Sequence, residues 1–132
     1  GRQQRDFEAV FPMTELPRLL PEADILVLAL ALNADTRHLF DGSMLARMKA
    51  GSILVNLSRG AILDEKALLK ALDGPLSGAV LDVFETEPLP EASPLWEKEN
   101  LIITPHNSFV GEHNHGRMME LVLRNLRQWR NP

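Results

Sequence analysis

Cysteine and tyrosine are both absent from the 132 residues. Without cysteine there is no disulfide, no zinc–thiolate site and no thiol nucleophile, a pattern that suits a cytoplasmic protein. Aromatic residues make up only 5%, which leaves little surface for stacking bases. Positive charge is also in short supply: Lys+Arg 14 against Asp+Glu 18 gives a net charge of -4, not the basic footprint of a nucleic-acid binder. No apolar run approaches the roughly 20 residues of a membrane helix, and the first residues do not show the basic-then-apolar pattern of a leader. Neither nucleic acid nor a membrane is therefore expected as a partner.

What is present is 45% hydrophobic and 24% charged, the mix of one soluble globular domain. Four short apolar runs lack alternation: Ile25–Leu30, Ser52–Leu57, Gly78–Val83 and Leu101–Thr104. Continuous runs of this kind predict parallel strands buried on both faces. A weaker strand candidate surrounds Val10 and Phe11. Between the runs lie helix signals. Thr14 is placed to cap a helix over Glu15–Leu20 with Pro17 in its first turn, and Asp41 or Ser43 to cap Met44–Lys49, ended by Gly51. Asp64 precedes Glu65–Leu72, whose apolar stripe stops at Gly74-Pro75. A last helix is expected from about Glu112 to Arg130, with Met119, Val122, Leu123, Leu126 and Trp129 on one face. This alternation predicts an α/β fold with a doubly wound parallel sheet. Two loops interrupt the rhythm, Asn33–Asp41 and Glu85–Asn100; the second carries Pro88, Pro90 and Pro94 and is expected to be free of helix.

In an open parallel sheet, ligands bind beyond the carboxyl ends of the strands. At those ends the sequence places Asn33, Asp35 and Thr36; then Asn56, Ser58, Arg59 and Gly60; then Asp82, Glu85 and Glu87; then His106, Asn107 and Ser108. Singly, each has an ordinary explanation. Arg59 could be a surface charge, Glu87 a solvated loop carboxylate, His106 a cap for the final helix and Asp82 an acceptor for backbone donors. Together they bring an arginine, carboxylates and a histidine to one edge.

Three blocks carry a family resemblance: Asn56-Leu57-Ser58-Arg59-Gly60, then Leu81-Asp82-Val83-Phe84-Glu85-Thr86-Glu87-Pro88-Leu89-Pro90, then Thr104-Pro105-His106-Asn107-Ser108. In order and spacing they resemble the signatures of the D-isomer-specific 2-hydroxyacid dehydrogenases, which include phosphoglycerate dehydrogenase and glyoxylate/hydroxypyruvate reductase. The resemblance implies that Arg59 holds the substrate carboxylate and carbonyl oxygen, that His106 is the acid/base, and that Glu87 orients the histidine. It further implies that Asp82 faces a nicotinamide, and that Leu30, Asn33, Thr36, Leu57, Ser58, Arg59, His106 and Ser108 line an NAD or NADP site. The residue types suit these roles. A guanidinium forks onto a planar carboxylate, imidazole exchanges protons near neutrality, and a carboxylate on its far nitrogen fixes the tautomer and favours imidazolium.

The family's opening strands and Gly-x-Gly-x-x-Gly turn have no counterpart in this sequence. The resemblance therefore implies a partial Rossmann-like sheet: residues 1–110 as the second half of a dinucleotide-binding domain, and 111–132 as a helix leading back toward a separate substrate domain. Arg2, where the family's ribose 2′ group would sit, gives a tilt toward NADP. The resemblance also implies a small 2-oxo or 2-hydroxy acid substrate and a homodimer. The competing reading is an NAD-sensing scaffold that keeps the triad without turnover. His113 and His115 beside Glu112 do not make a metal site, because helical residues two apart point about 200° apart. No metal is expected.

Overall fold

The computed structural model describes residues 7–108 and 110–130. In chain order the elements are α1 (Leu16–Leu19), β1 (Ile25–Leu28), α2 (Gly42–Leu45), β2 (Ile53–Asn56), α3 (Glu65–Leu72), β3 (Gly78–Leu81), β4 (Leu101–Ile103) and α4 (Asn114–Arg130). The strands form one parallel sheet in the order β1-β2-β3-β4. All four strong apolar runs of the sequence are therefore strands. Their register puts Leu28, Asn56, Leu81 and Ile103 side by side at the carboxyl edge. Everything that follows each strand is thereby delivered to one rim.

Local chemistry explains the helix starts. Asp41 is extended, and its carboxylate accepts the Ser43 and Met44 amides at 2.9 and 3.0 Å, capping α2. Asp64 caps α3 in the same way through the Ala67 amide at 3.0 Å. The buried face of α3, Leu68, Ala71 and Leu72, joins Leu28, Leu54 and Leu81 in one core. A parallel bridge between Phe40 and Leu63 ties the loop after β1 to the start of α3.

Several expectations are corrected. Successive strand side chains point to opposite faces, and among the described residues α2 and α3 cover only one of them. Leu54, Ala79 and Leu81 are buried, whereas Ile25, Val27 and Ile102 on the other face are 60%, 53% and 62% exposed. Val10 and Phe11 form no strand, because no described segment pairs with them. The segment around Pro17 is broken into a 3-10 turn (Met13–Glu15), α1 and a second 3-10 turn (Leu20–Glu22), and Thr14 lies inside the first turn instead of capping a helix. Helix α2 is shorter than its pattern suggests. The proline-rich excursion holds a 3-10 turn over Pro94–Glu97, started by the Ser93 side chain. His113 precedes α4 in a positive-φ conformation, so the two histidines do not share a helix.

Candidate active site

The Asn56–Gly60 turn is organised from inside. Asn56 is buried, and its side-chain oxygen accepts both the amide and the hydroxyl of Ser58, at 3.1 and 2.7 Å. Its amide nitrogen donates to the Arg59 carbonyl at 3.2 Å. The Ser58 hydroxyl is thus committed inward, and the turn presents Leu57 and Arg59 outward. Gly60 follows because nothing larger fits: a Cβ there would stand 1.9 Å from the Phe84 carbonyl carbon and 2.4 Å from the Glu85 nitrogen. The backbone after Arg59 therefore lies flush against the backbone that leads to Glu87.

The Thr104–Ser108 segment is organised from Asp82. This side chain is fully buried and accepts the Thr104 hydroxyl at 2.5 Å, the Asn107 amide at 3.0 Å and the Ser108 amide at 2.9 Å. Burial alone would raise its pKa; the hydrogen bonds from Thr104, Ser108 and Asn107 outweigh that and hold it at about 2. Asp82 is an ionised staple between the end of β3 and the segment after β4. It is turned into the protein, and Ser108 spends its amide on the same staple.

That staple aims His106, whose φ is 50. Its Nδ1 lies 2.7 Å from Glu87 Oε2, while Glu87 Oε1 accepts the Phe84 amide at 2.9 Å. The hydrogen bond to His106, joined by the one from Phe84, holds the Glu87 carboxyl below its ordinary pKa despite partial burial. With Nδ1 engaged, the Nε2 side of the ring is the one left to meet a ligand.

Arg59, Glu87 and His106 line one cleft, of about 350 Å³, together with Leu32 and Arg37. The three residues expected to carry the chemistry are thus brought together, although their strands end at three different places in the chain. A neighbouring cleft of about 500 Å³ is lined by Leu30, Leu57, Ser58 and Arg59. Asn33 and Thr36 instead brace their own loop: Asn33 Oδ1 accepts the Asp35 and Thr36 amides at 2.9 and 3.0 Å, and the Thr36 hydroxyl donates to the Ala31 carbonyl at 2.8 Å. Arg2 lies outside the described residues. No cluster of three metal-ligating side chains occurs among the described residues, and none of their helices is long and apolar enough to cross a membrane.

Comparison with known proteins meets this geometry. The model of the D-isomer specific 2-hydroxyacid dehydrogenase, NAD binding domain, matches residues 1–108. The chain belongs to this family. It is 42% identical over 127 residues to the glyoxylate reductase of Korarchaeum cryptofilum, covering 94% of this chain and 38% of that protein. Among solved structures, a D-isomer specific 2-hydroxyacid dehydrogenase family protein from Aeromonas salmonicida superposes with a TM-score of 0.77 at 48% identity, over 82% of this chain and 35% of the other. A family member from Xanthobacter autotrophicus, solved in complex with NADPH and MES, gives a TM-score of 0.69 at 43% identity, over 71% and 30% of the two chains. The chain thus spans well under half the length of these relatives.

Asn56 and Gly60 were visible in the sequence as members of a block, but their roles were not. The signal for Gly60 is its place directly after a strand-end turn. What it packs against, the Phe84–Glu85 peptide, is a contact across the fold that no local pattern encodes.

Proposed function

We propose that this chain works as the second half of the NAD(P)-binding domain of a dehydrogenase that interconverts a small 2-oxo acid and its D-2-hydroxy acid. The observation that carries the reading is the Glu87–His106 hydrogen bond at 2.7 Å, in a cleft that His106 shares with Arg59. Arg59 is the group to fork onto the substrate carboxylate and fix its plane. His106 gives its proton to the carbonyl oxygen as C2 is reduced, and takes it back in the reverse direction. Glu87 holds the ring so that the correct nitrogen faces the substrate.

The cleft beside Leu30, Leu57, Ser58 and Arg59 suits part of a dinucleotide, since it combines an exposed apolar side chain with backbone polar groups at strand ends. A bound nicotinamide supplies the hydride. Asn33 and Thr36 serve the cofactor by holding the loop that walls this cleft, and Asp82 and Ser108 by fixing the segment that carries His106. Arg2 is the residue proposed to favour NADP, through a 2′-phosphate.

Residues 1–110 are assigned to the dinucleotide-binding part, and the segment 111–132, which carries α4, to the connection toward a substrate domain. Helix α4 suits that role, because Met119, Val122, Leu123 and Leu126 are all exposed along it. The enzyme is proposed to be a cytoplasmic homodimer. Reduction of glyoxylate or hydroxypyruvate by the full-length enzyme, followed at the nicotinamide absorbance, tests the function. Turnover that His106→Gln lowers about 100-fold supports it. Cofactor binding without turnover would instead make the protein a scaffold.

A further inference from the structure

Two glutamates that the acid/base chemistry does not use are tied to each other's backbone. Glu85 Oε1 accepts the Glu65 amide at 3.1 Å, and Glu65 Oε1 accepts the Glu85 amide at 2.7 Å. The Glu65 amide belongs to the first residue of α3 and has no partner within the helix. The second oxygen of Glu85 faces His38 Nε2 at 3.5 Å, and the His38 amide is in turn anchored on the Ala61 carbonyl at 2.8 Å. Glu85 therefore joins the loops that follow β1, β2 and β3. Those loops carry the cofactor wall, Arg59 and Glu87.

The clasp closes on one peptide unit. Gly60 packs directly against the Phe84–Glu85 peptide, and Glu65 holds the amide of that peptide. One residue earlier, the Phe84 amide holds Glu87. We propose that Glu65 and Glu85 are positioning residues for the acid/base pair: they fix the Phe84–Glu85 backbone, so that the Phe84 amide meets Glu87 and Glu87 meets His106. This rests on the functional reading of Glu87 and His106 given above. The physical need is clear, because a charge-assisted hydrogen bond weakens steeply with misalignment. A displacement of about 1 Å in such a site can cost about 100-fold in rate.

Long-range proton–nitrogen spectra of the full-length enzyme, labelled at histidine and held at alkaline pH, report which ring nitrogen of His106 carries the proton. The wild-type chain is expected to hold it on Nδ1, facing Glu87, and Glu87→Ala to lose that preference. Glu65→Ala and Glu85→Ala should move His106 most of the way to the Glu87→Ala pattern. Glu85→Gln keeps an oxygen for the Glu65 amide and should retain the wild-type pattern. Should Glu65→Ala unfold the chain, Glu65→Asp shortens the reach while keeping the charge and gives the same readout. An unchanged His106 signature in the Glu65 and Glu85 variants, alongside a changed one in Glu87→Ala, overturns the clasp and leaves the pair standing. No change in Glu87→Ala itself removes the pair, and the clasp with it.

Discussion

Glu87 reaches His106 with one carboxylate oxygen and the Phe84 amide with the other, at 2.7 and 2.9 Å. The carboxylate is thus held at both ends before any ligand arrives, and the imidazole inherits its orientation from it. A loop residue and a residue beyond β4, 19 positions apart in the chain, become one unit.

That pairing has a consequence for stability. The bond to His106, assisted by the Phe84 amide, lowers the Glu87 pKa, so the folded state favours the ionised carboxylate more than the unfolded state does. Its contribution is present above the ordinary carboxylate range and is lost as pH falls through the lowered value. Denaturant titrations of wild type and Glu87→Gln from pH 7 to pH 3 should show a gap at neutrality that closes in acid. A gap that widens in acid would contradict the assignment.

Asp82 should behave similarly but more strongly. With its pKa lowered from the ordinary 3.8 to about 2, ionised Asp82 contributes on the order of 2 kcal/mol at neutral pH, and this fades as pH falls through that range. Asp82→Asn is expected to lose about that much in a chemical melt at pH 7. It should also speed hydrogen exchange at the Asn107 and Ser108 amides, which Asp82 holds. Exchange rates left unchanged at these two amides would show that the staple does not form.

Glycine substitutions give predictions of opposite sign. Gly60→Ala drives a methyl group into the Phe84 carbonyl, 1.9 Å away, and no side-chain rotation can relieve a clash with backbone. A loss of about 3 kcal/mol is expected. Gly116, inside α4, has nothing within 4 Å of the added methyl group, so Gly116→Ala should gain up to about 1 kcal/mol from helix propensity. Thermal melts of the two variants should therefore move in opposite directions.

The proposed preference for NADP rests on Arg2 and has its own test. In the full-length enzyme, Arg2→Ala should lower kcat/KM with NADPH while leaving the value with NADH nearly unchanged. Equal effects on both cofactors would remove Arg2 from the 2′-phosphate.

The sequence made the strands legible because Ile25–Leu28, Ile53–Asn56, Gly78–Leu81 and Leu101–Ile103 are apolar runs between clear breakers. It also made the rim legible, since parallel strands send Arg59, Glu87 and His106 to the same side once the order is known. Asp64 announced its helix by local hydrogen-bonding chemistry, whereas Asp41 and Ser43 were equal candidates for the cap of α2 and the structure gives the role to Asp41. The open sheet face was not legible. Val27 and Ile102 look as core-like as Leu54 and Leu81, and only the placement of α2 and α3 tells them apart. Nor were the inward roles of Asp82 and Asn56, which depend on partners that the fold brings together. The reciprocal Glu65–Glu85 contact spans 20 positions, and a glutamate at a helix start otherwise reads only as a favourable charge.

The central claim is that Glu87 holds His106 in place as the proton donor. The most direct measurement is kcat/KM for 2-oxo acid reduction, with wild type, Glu87→Gln and His106→Gln compared in the full-length enzyme. His106→Gln should lower the value about 100-fold. Glu87→Gln exchanges the charge-assisted bond at 2.7 Å for a weaker neutral one and should lower it by about 10-fold. A value in Glu87→Gln equal to that of wild type would contradict the account.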